Sequence, residues 1–88
     1  MMQTTEQVLA ELTQIMRKVF GNDTIVLQPE TTARDVKEWD SLNHIQFVIA
    51  VEKHFKIRFN FAELQKFKNV GEMADNVAAK LFSAAPRT

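Results

Sequence analysis

The sequence predicts an all-α protein, a small four-helix bundle of three main helices and one short helix, with a long loop between helices 1 and 2. Apolar residues recur at three- and four-residue spacing, the helical period, in three separate stretches. Glycine, asparagine, aspartate and proline interrupt the chain between the first two stretches. Since 88 residues suit one small domain, we expect a single domain over residues 1–88.

Helix 1 should begin near Thr4 or Thr5, because Thr4 and Gln7 have the spacing of a capping box. Gly21 should end it, since glycine readily adopts the left-handed conformation found at helix ends. One apolar stripe lies between these signals and consists of Val8, Leu9, Leu12, Ile15, Met16 and Val19.

Residues 21 to about 40 form the long connection. The apolar residues that can hold this segment on a core are Ile25, Val26, Leu27, Val36 and Trp39. Loops of this length are uncommon in compact domains and are often functional.

Helix 2 should run from about Ser41 to Phe55, with two apolar stripes that together are too wide for a one-sided surface helix. The first stripe, expected to face the core, consists of Phe47, Val48, Val51 and Phe55. The second stripe consists of Leu42, Ile45 and Ile49. Two interpretations are open: another helix covers the second stripe, or it stays partly exposed as a docking patch.

Three weaker signals follow helix 2. The segment Lys56-Ile57-Arg58-Phe59 alternates like a short strand, and a short helix can begin at Asn60. The last helix should begin after Asn69, which has capping-box spacing to Glu72. Its apolar stripe consists of Val70, Met73, Ala74, Val77, Ala78 and Leu81.

Composition narrows the class of protein. The chain has no cysteine, so disulfides and thiolate metal sites are excluded. A zero net charge argues against nucleic acid as a partner, and no apolar run is long enough to span a membrane. The N-terminus lacks the pattern of a signal peptide, which predicts a cytoplasmic protein. A monomeric binding or carrier module fits this size better than an enzyme with a deep pocket.

The charges are unevenly distributed along the chain. From Val19 to Asp40 there are five acids and two bases, a net charge of −3. From Ser41 to Val70 there are five bases and two acids, a net charge of +3. The sign therefore changes near Ser41.

The sequence contains few signals of a catalytic site or a metal site. His44 and His54 lie ten residues apart on one helix, a poor pair for a metal ion. A Ser41–His44 nucleophile pair would make the protein a small hydrolase, but a triad also needs an orienting acid and an oxyanion site. A partly buried imidazole packed by the loop is the favoured interpretation of His44. The phenylalanines are spread over several elements, which indicates core packing rather than base stacking.

The stretch Trp39-Asp40-Ser41-Leu42 holds the clearest functional signal. Asp40 and Ser41 are both good N-caps for helix 2. A serine at a helix start also projects its hydroxyl beside the positive end of the helix dipole, where a phosphate ester is favoured. An aspartate before it could help a partner enzyme hold Mg²⁺. Leu42 after it, with Ile45 and Ile49 below, offers an apolar anchor.

With these residues in place, the sequence resembles the acyl carrier proteins, the phosphopantetheine-binding carrier family. Asp40-Ser41-Leu42 matches the D-S-L attachment motif of that family. The order of elements agrees: an amphipathic first helix, a long loop, D-S-L at the start of helix 2, a short helix and a last helix. The resemblance covers roughly residues 5–82.

The resemblance implies a carrier that is not itself an enzyme. Ser41 would receive 4′-phosphopantetheine from coenzyme A through a separate Mg²⁺-dependent phosphopantetheinyl transferase, with Asp40 next to the metal in that encounter. Leu42, Ile45 and Ile49 would contact the transferase and the enzymes that load and transfer acyl groups. The arm would carry an acyl group as a thioester.

One departure from the family's fatty-acid-synthesis type concerns charge. That type has a second helix rich in Glu and Asp, whereas Asn43, His44, Gln46, Lys53 and His54 stand here. Since charge complementarity governs partner choice, we expect a specialised carrier, for polyketides, secondary metabolites or modified lipid or polysaccharide building blocks. The alternative is an unmodified, carrier-like helical interaction module.

Overall fold

A computed structural model describes residues 4–84 of the chain. Four helices follow one another within them, α1 (Thr5–Phe20), α2 (Ser41–Phe55), α3 (Phe61–Lys66) and α4 (Val70–Ala84), and residues 21–40 form the long loop. Helix α1 packs against both α2 and α4. The prediction of a small all-α bundle with three main helices and one short helix is therefore confirmed.

The predicted signals set the helix ends. The Thr4 hydroxyl accepts a hydrogen bond from the Gln7 N–H, and the Gln7 side chain accepts one from the Thr4 N–H, so the capping box forms. Gly21 ends α1 in the left-handed conformation, at φ 67°. A second capping box, between Asn60 and Glu63, opens α3.

The core lies where α1, α2 and α4 meet. Its largest fully buried side chains are Phe47, Leu12, Met16, Val8, Val51, Val70 and Val77. The apolar stripes predicted for these three helices supply every one of them. Within residues 4–84, no helix is both long and apolar enough to cross a membrane.

The long loop is fastened to the start of α4. Ile25, Leu27 and Val36 are buried in the core. Val26 is 62% exposed, so the prediction that it also holds the loop on the core is wrong. The Val70 N–H donates to the Thr31 carbonyl at 2.8 Å, and the Gly71 N–H donates to the Pro29 carbonyl at 2.7 Å. Two N–H groups that the first turn of a helix leaves free are thus satisfied by loop carbonyls.

Gly71 is required by this close approach. A Cβ atom at this position would lie 2.7 Å from the Pro29 carbonyl oxygen, closer than carbon and oxygen can pack. The glycine lets the loop backbone approach α4 closely.

The strand-like alternation of residues 56–59 does not correspond to a strand in the structure. Lys56 ends α2 in the left-handed conformation, at φ 57°, which turns the chain away from the helix. The Ile57 N–H donates to the Glu52 carbonyl, and the Phe59 N–H donates to the Glu52 carboxylate at 2.9 Å. This segment therefore bonds back to α2, and its alternation reflects the buried Ile57 and the partly buried Phe59.

Candidate functional site

Asp40 and Ser41 divide their roles at the start of α2. Asp40 is the N-cap, and its Oδ1 accepts a hydrogen bond from the Asn43 N–H at 2.8 Å. Ser41 is the first residue of the helix and is exposed. Within residues 4–84 the Ser41 hydroxyl has no hydrogen-bond partner. Since Asp40 does the capping, the serine hydroxyl is available for chemistry.

The electrostatic setting of Ser41 suits an anion. Four backbone N–H groups at a helix start lack intrahelical partners and carry the positive end of the helix dipole. The first turn of α2 contains no acidic residue beyond the cap. A phosphate ester on Ser41 would therefore meet favourable charge.

An aromatic cluster holds the end of the loop in front of Ser41. The Trp39 ring lies 6.4 Å from Phe20 and 5.7 Å from Phe47, measured between ring centroids. Phe47 is fully buried, so the cluster joins the loop to the core. The residues directly before Ser41 are positioned by tertiary packing as well as by the helix cap.

Two asparagines reinforce this junction through side-chain contacts that the sequence did not predict. The Asn43 side-chain amide donates to the Glu38 carbonyl at 2.7 Å. The Asn22 side-chain amide donates to the Glu38 carboxylate at 2.8 Å, which ties the first residues of the loop to the last ones. Nothing in the local sequence pattern of Asn22 indicates a partner 16 residues away.

His44 is packed by the loop, as its favoured interpretation predicted. The Trp39 Nε1–H donates to His44 Nδ1 at 2.9 Å, and the two rings stack at a centroid distance of 5.9 Å. Burial lowers the pKa of His44 below its usual value, because desolvation disfavours the charged ring. Nδ1 is thus committed to Trp39, and this nitrogen cannot act as a base for Ser41.

The two apolar stripes of α2 have opposite environments. Phe47, Val48, Val51 and Phe55 are buried. Leu42, Ile45 and Ile49 are 65%, 56% and 45% exposed, so no helix covers this second stripe within the described chain. The docking-patch interpretation is the one that fits this exposure.

The exposed stripe lies on the same side of α2 as Ser41. At the helical period, Ser41, Leu42, Ile45 and Ile49 fall within an arc of about 100°. Asp40 adjoins the stripe as the residue before Ser41. The structure therefore brings all five predicted site residues to one surface.

Cationic side chains mark the opposite end of α2. Lys53, Lys56 and Arg58 are exposed there, about 20 Å from Ser41 along a 15-residue helix. The other histidine, His54, pairs with Glu11 of α1 at 2.7 Å. This end of the exposed surface is basic, whereas Glu38 and Asp40 flank its Ser41 end.

A small cavity, of about 130 Å³, lies between the loop, the first turn of α2 and the α3–α4 junction, and His44 is part of its wall. In the part of the chain that the structure describes, no three acidic or histidine side chains are grouped to hold a metal ion.

Comparisons with known proteins agree with this geometry. The family described as "Phosphopantetheine attachment site" matches residues 10–77. An acyl carrier protein of Acidothermus cellulolyticus is 34% identical over 90% of this chain and 94% of its own length. One from Myxococcus xanthus is 30% identical over 84% of this chain and 94% of its own length.

A solved structure is similar over most of its length. The solution NMR structure of a holo acyl carrier protein from Geobacter metallireducens superimposes with a TM-score of 0.82 at 50% identity, over 86% of this chain and 87% of that one. The family match spans most of the sequence, and both curated relatives are covered almost completely. The chain therefore belongs to the acyl carrier proteins, a family that bears a phosphopantetheine group and works as a carrier rather than as an enzyme.

Proposed function

We propose that Ser41 is the attachment site of 4′-phosphopantetheine and that the protein carries acyl thioesters in a specialised, cytoplasmic pathway, with residues 1–88 acting as one domain. The exposed Ser41 hydroxyl at the start of α2, left free because Asp40 caps the helix, carries this assignment. Ser41 Oγ would hold the phosphodiester, and the N-terminal N–H groups of α2 would stabilise its negative charge. The thiol at the end of the arm supplies the thioester chemistry.

The environment of Ser41 fits that group. The hydroxyl is exposed to an incoming transferase, and no acidic side chain of the first turn opposes the phosphate. Asp40 keeps its capping oxygen on Asn43 and leaves the rest of its carboxylate to the partner, next to the Mg²⁺ that the transferase binds.

The exposed stripe Leu42, Ile45 and Ile49 would anchor the transferase and the acyl-transferring enzymes. Large apolar side chains that are half exposed next to a reactive group are the usual centre of a small interface. Other residues of α2, among them Phe47 and Val51, supply the core. Core packing therefore does not explain why the exposed stripe is apolar.

Charge supports a dedicated set of partners. Asn43 and Gln46 lie near Ser41 without charge, and Lys53, Lys56 and Arg58 make the far end basic. Enzymes with basic docking surfaces would be repelled by that end, and like-charge contact lowers the association rate. Partners with an acidic patch about 20 Å from their active-site entrance would fit.

Intact-mass spectrometry tests the attachment site. Incubation with a broad-specificity phosphopantetheinyl transferase and coenzyme A should add roughly 340 Da, the mass of the arm. Ser41→Ala should abolish the gain, and Ser83→Ala, which removes the only other serine of the chain, should retain it. No gain in the wild type would favour the unmodified interaction module, and a gain that survives Ser41→Ala would disprove the site.

Acyl transfer with a fatty-acid-synthesis enzyme tests the specialised role. The loaded protein should be a poor substrate for a ketosynthase that uses an acidic carrier. The double variant Gln46→Glu/Lys53→Glu should raise kcat/KM, mainly through the association rate, and this gain should shrink with added salt. If the ketosynthase used this protein and its own acidic carrier with equal kcat/KM, the proposal of a dedicated partner set would be contradicted.

A further inference from the structure

Two aromatic side chains join the loop to helix α2 on either side of Ser41. The Trp39 Nε1–H donates to His44 Nδ1 at 2.9 Å, and the two rings stack with their centroids 5.9 Å apart. Trp39 lies two residues before Ser41 in the chain, and His44 lies three residues after it on α2. The hydrogen bond therefore closes a short ring of chain that contains Ser41, the residue proposed to be modified.

The protonation of His44 decides whether this bond can form. The indole N–H is only a donor, so Nδ1 must accept, and a neutral imidazole that accepts at Nδ1 carries its proton at Nε2. A protonated imidazole has hydrogens on both nitrogens and cannot accept. Burial lowers the pKa of His44, because desolvation disfavours the charged ring. The bond is therefore present at neutral pH and is lost as the pH falls through that lowered pKa.

The charged groups around His44 also favour its neutral form or are engaged elsewhere. Among the described residues that line the small cavity with His44, Lys68 is the one that carries a charge, and a neighbouring cation disfavours the protonated ring. Asp40, at the start of the same helix, accepts a backbone N–H, and Glu38 in the loop accepts from an asparagine side chain. Within residues 4–84, no carboxylate is hydrogen-bonded to the His44 ring.

The other contacts of this junction leave the orientation of Trp39 to its hydrogen bond. Two asparagine side chains bond to Glu38, one residue earlier in the chain. The Trp39 ring packs against Phe20 and Phe47, but apolar contacts are non-directional. A hydrogen bond, in contrast, weakens steeply when donor and acceptor are misaligned. The bond to His44 therefore fixes the indole in one orientation, and with it the backbone of residues 39–41.

We propose that Trp39 and His44 are positioning residues for the modification of Ser41, and that their hydrogen bond holds residues 39–41 in the conformation that the phosphopantetheinyl transferase binds. The inference rests on the proposed attachment to Ser41. Both residues act through the backbone and not on the reacting atoms. Loss of the bond lowers the fraction of the carrier that is ready to bind, so the KM for the carrier rises while kcat at saturation stays unchanged.

Transferase kinetics on the full-length protein test this proposal, with intact mass measuring the product. Trp39→Phe removes the donor and keeps an aromatic ring, and His44→Leu removes the acceptor. Each should raise KM about two- to ten-fold at unchanged kcat, the range that one hydrogen bond supplies. The double variant should raise KM no further, because both changes remove the same bond. His44→Asn, whose Oδ1 takes the place of Nδ1 as acceptor, should restore the KM of the wild type.

The pH profile is a readout that loss of packing alone would not move. Because asparagine does not titrate, the ratio of KM between the wild type and His44→Asn cancels the titration of the transferase itself. This ratio should be near one at neutral pH and should rise about two- to ten-fold as the pH falls through the pKa of His44. The chain has a single tryptophan, so its indole N–H gives one NMR signal, which should shift over the same pH range.

His54→Gln is the matched control, because His54 pairs with Glu11 near the other end of α2 and its loss should leave KM and the pH profile unchanged. A wild-type KM in both Trp39→Phe and His44→Leu overturns the positioning role while leaving the attachment intact. A KM in His44→Asn as high as in His44→Leu, or equal pH profiles of His44→Asn and the wild type, also overturns it. Absence of any mass gain in the wild type overturns the attachment and the positioning role together.

Discussion

Helices α2 and α3 are close neighbours in the chain, yet different forces hold them. Helix α2 buries four apolar side chains, and Phe47 among them is fully inaccessible. Helix α3 has six residues, and none of them is buried. Its Leu64 packs only partly against the core, and its Glu63 accepts hydrogen bonds from Asn60 and Asn76 and pairs with Lys80 at 2.8 Å.

The difference has a functional meaning. Because the buried side of α2 fixes its position, its other side can carry exposed apolar residues without weakening the fold. Helix α3 contributes Leu64 to the wall of the cavity that His44 also lines, and its ion pair between Glu63 and Lys80 depends on charge. We therefore expect α3 to open locally more readily than α2, because elements with few buried apolar contacts have low local stability.

The largest expected effect concerns the buried side of α2. Phe47→Ala should destabilise the protein by roughly 3–5 kcal/mol, since it removes a fully buried ring from the core. Ile45→Ala, on the exposed stripe of the same helix, should change the free energy of unfolding by less than about 0.5 kcal/mol. Urea denaturation followed by circular dichroism measures both. Similar losses at the two positions would contradict the division of α2 into a buried and an exposed side.

A smaller effect is expected at the helix cap. Asp40→Ala should cost about 1 kcal/mol, because the Asn43 N–H loses its acceptor. Asp40→Asn keeps an acceptor oxygen and should lower the free energy of unfolding by only about 0.3 kcal/mol. If transferase turnover nevertheless falls in Asp40→Asn, the carboxylate charge itself serves the partner. Unchanged turnover in both variants would limit Asp40 to capping.

A local effect is expected in α3. Glu63→Gln removes the ion pair with Lys80 and weakens the bond to Asn76, so amide hydrogen exchange should accelerate in residues 61–66. Exchange in α2 should stay unchanged, because its anchors are apolar. Lys53→Gln serves as a control that removes an exposed charge from α2 instead. Acceleration throughout the chain would show that α3 is part of the same cooperative unit as α2.

The smallest effect is a dependence on pH. The hydrogen bond from Lys80, followed by those from Asn60 and Asn76, lowers the pKa of Glu63 from 4.5 to about 2. The ionised carboxylate is therefore favoured by folding, and its stabilisation is complete above pH 4.5 and is lost as the pH falls toward 2.

Amide chemical shifts of α3 should report this titration at a midpoint well below that of an ordinary glutamate. The shifts should not titrate in Glu63→Gln. A midpoint near 4.5 in the wild type would contradict the contacts of Glu63 with Lys80 and Asn76.

Much of the helical pattern could be predicted because its signals are local. Thr4 with Gln7, and Asn60 with Glu63, form the expected capping boxes, and Gly21 ends α1. Asn69 also caps α4 through the Glu72 N–H, but the Glu72 side chain accepts from Lys68 rather than from Asn69. The end of α2 was harder to explain, because Lys56 adopts the left-handed conformation without being glycine.

The site was only partly predictable. Asp40, Ser41, Leu42, Ile45 and Ile49 could be chosen from sequence, because a cap and a helical stripe are patterns within one element. The bond from Trp39 to His44 and the contact of Asn22 with Glu38 are side-chain matches across a turn or a loop. No sequence periodicity predicts these side-chain hydrogen bonds, because any of several polar residues could have been the partner of Trp39 or Asn22.

The sequence by itself determined the four helices, the position of Ser41 at the start of α2 and the change of charge along the chain, because caps, helical spacing and composition act over a few residues. Only the tertiary structure decided that the second stripe of α2 stays uncovered. Packing against α1 encloses Phe47 and leaves Ile45 exposed, although both are large and apolar. The same packing places the loop on α4 and His44 beside the cavity, because these contacts join residues that are distant in sequence and form only when the whole core does.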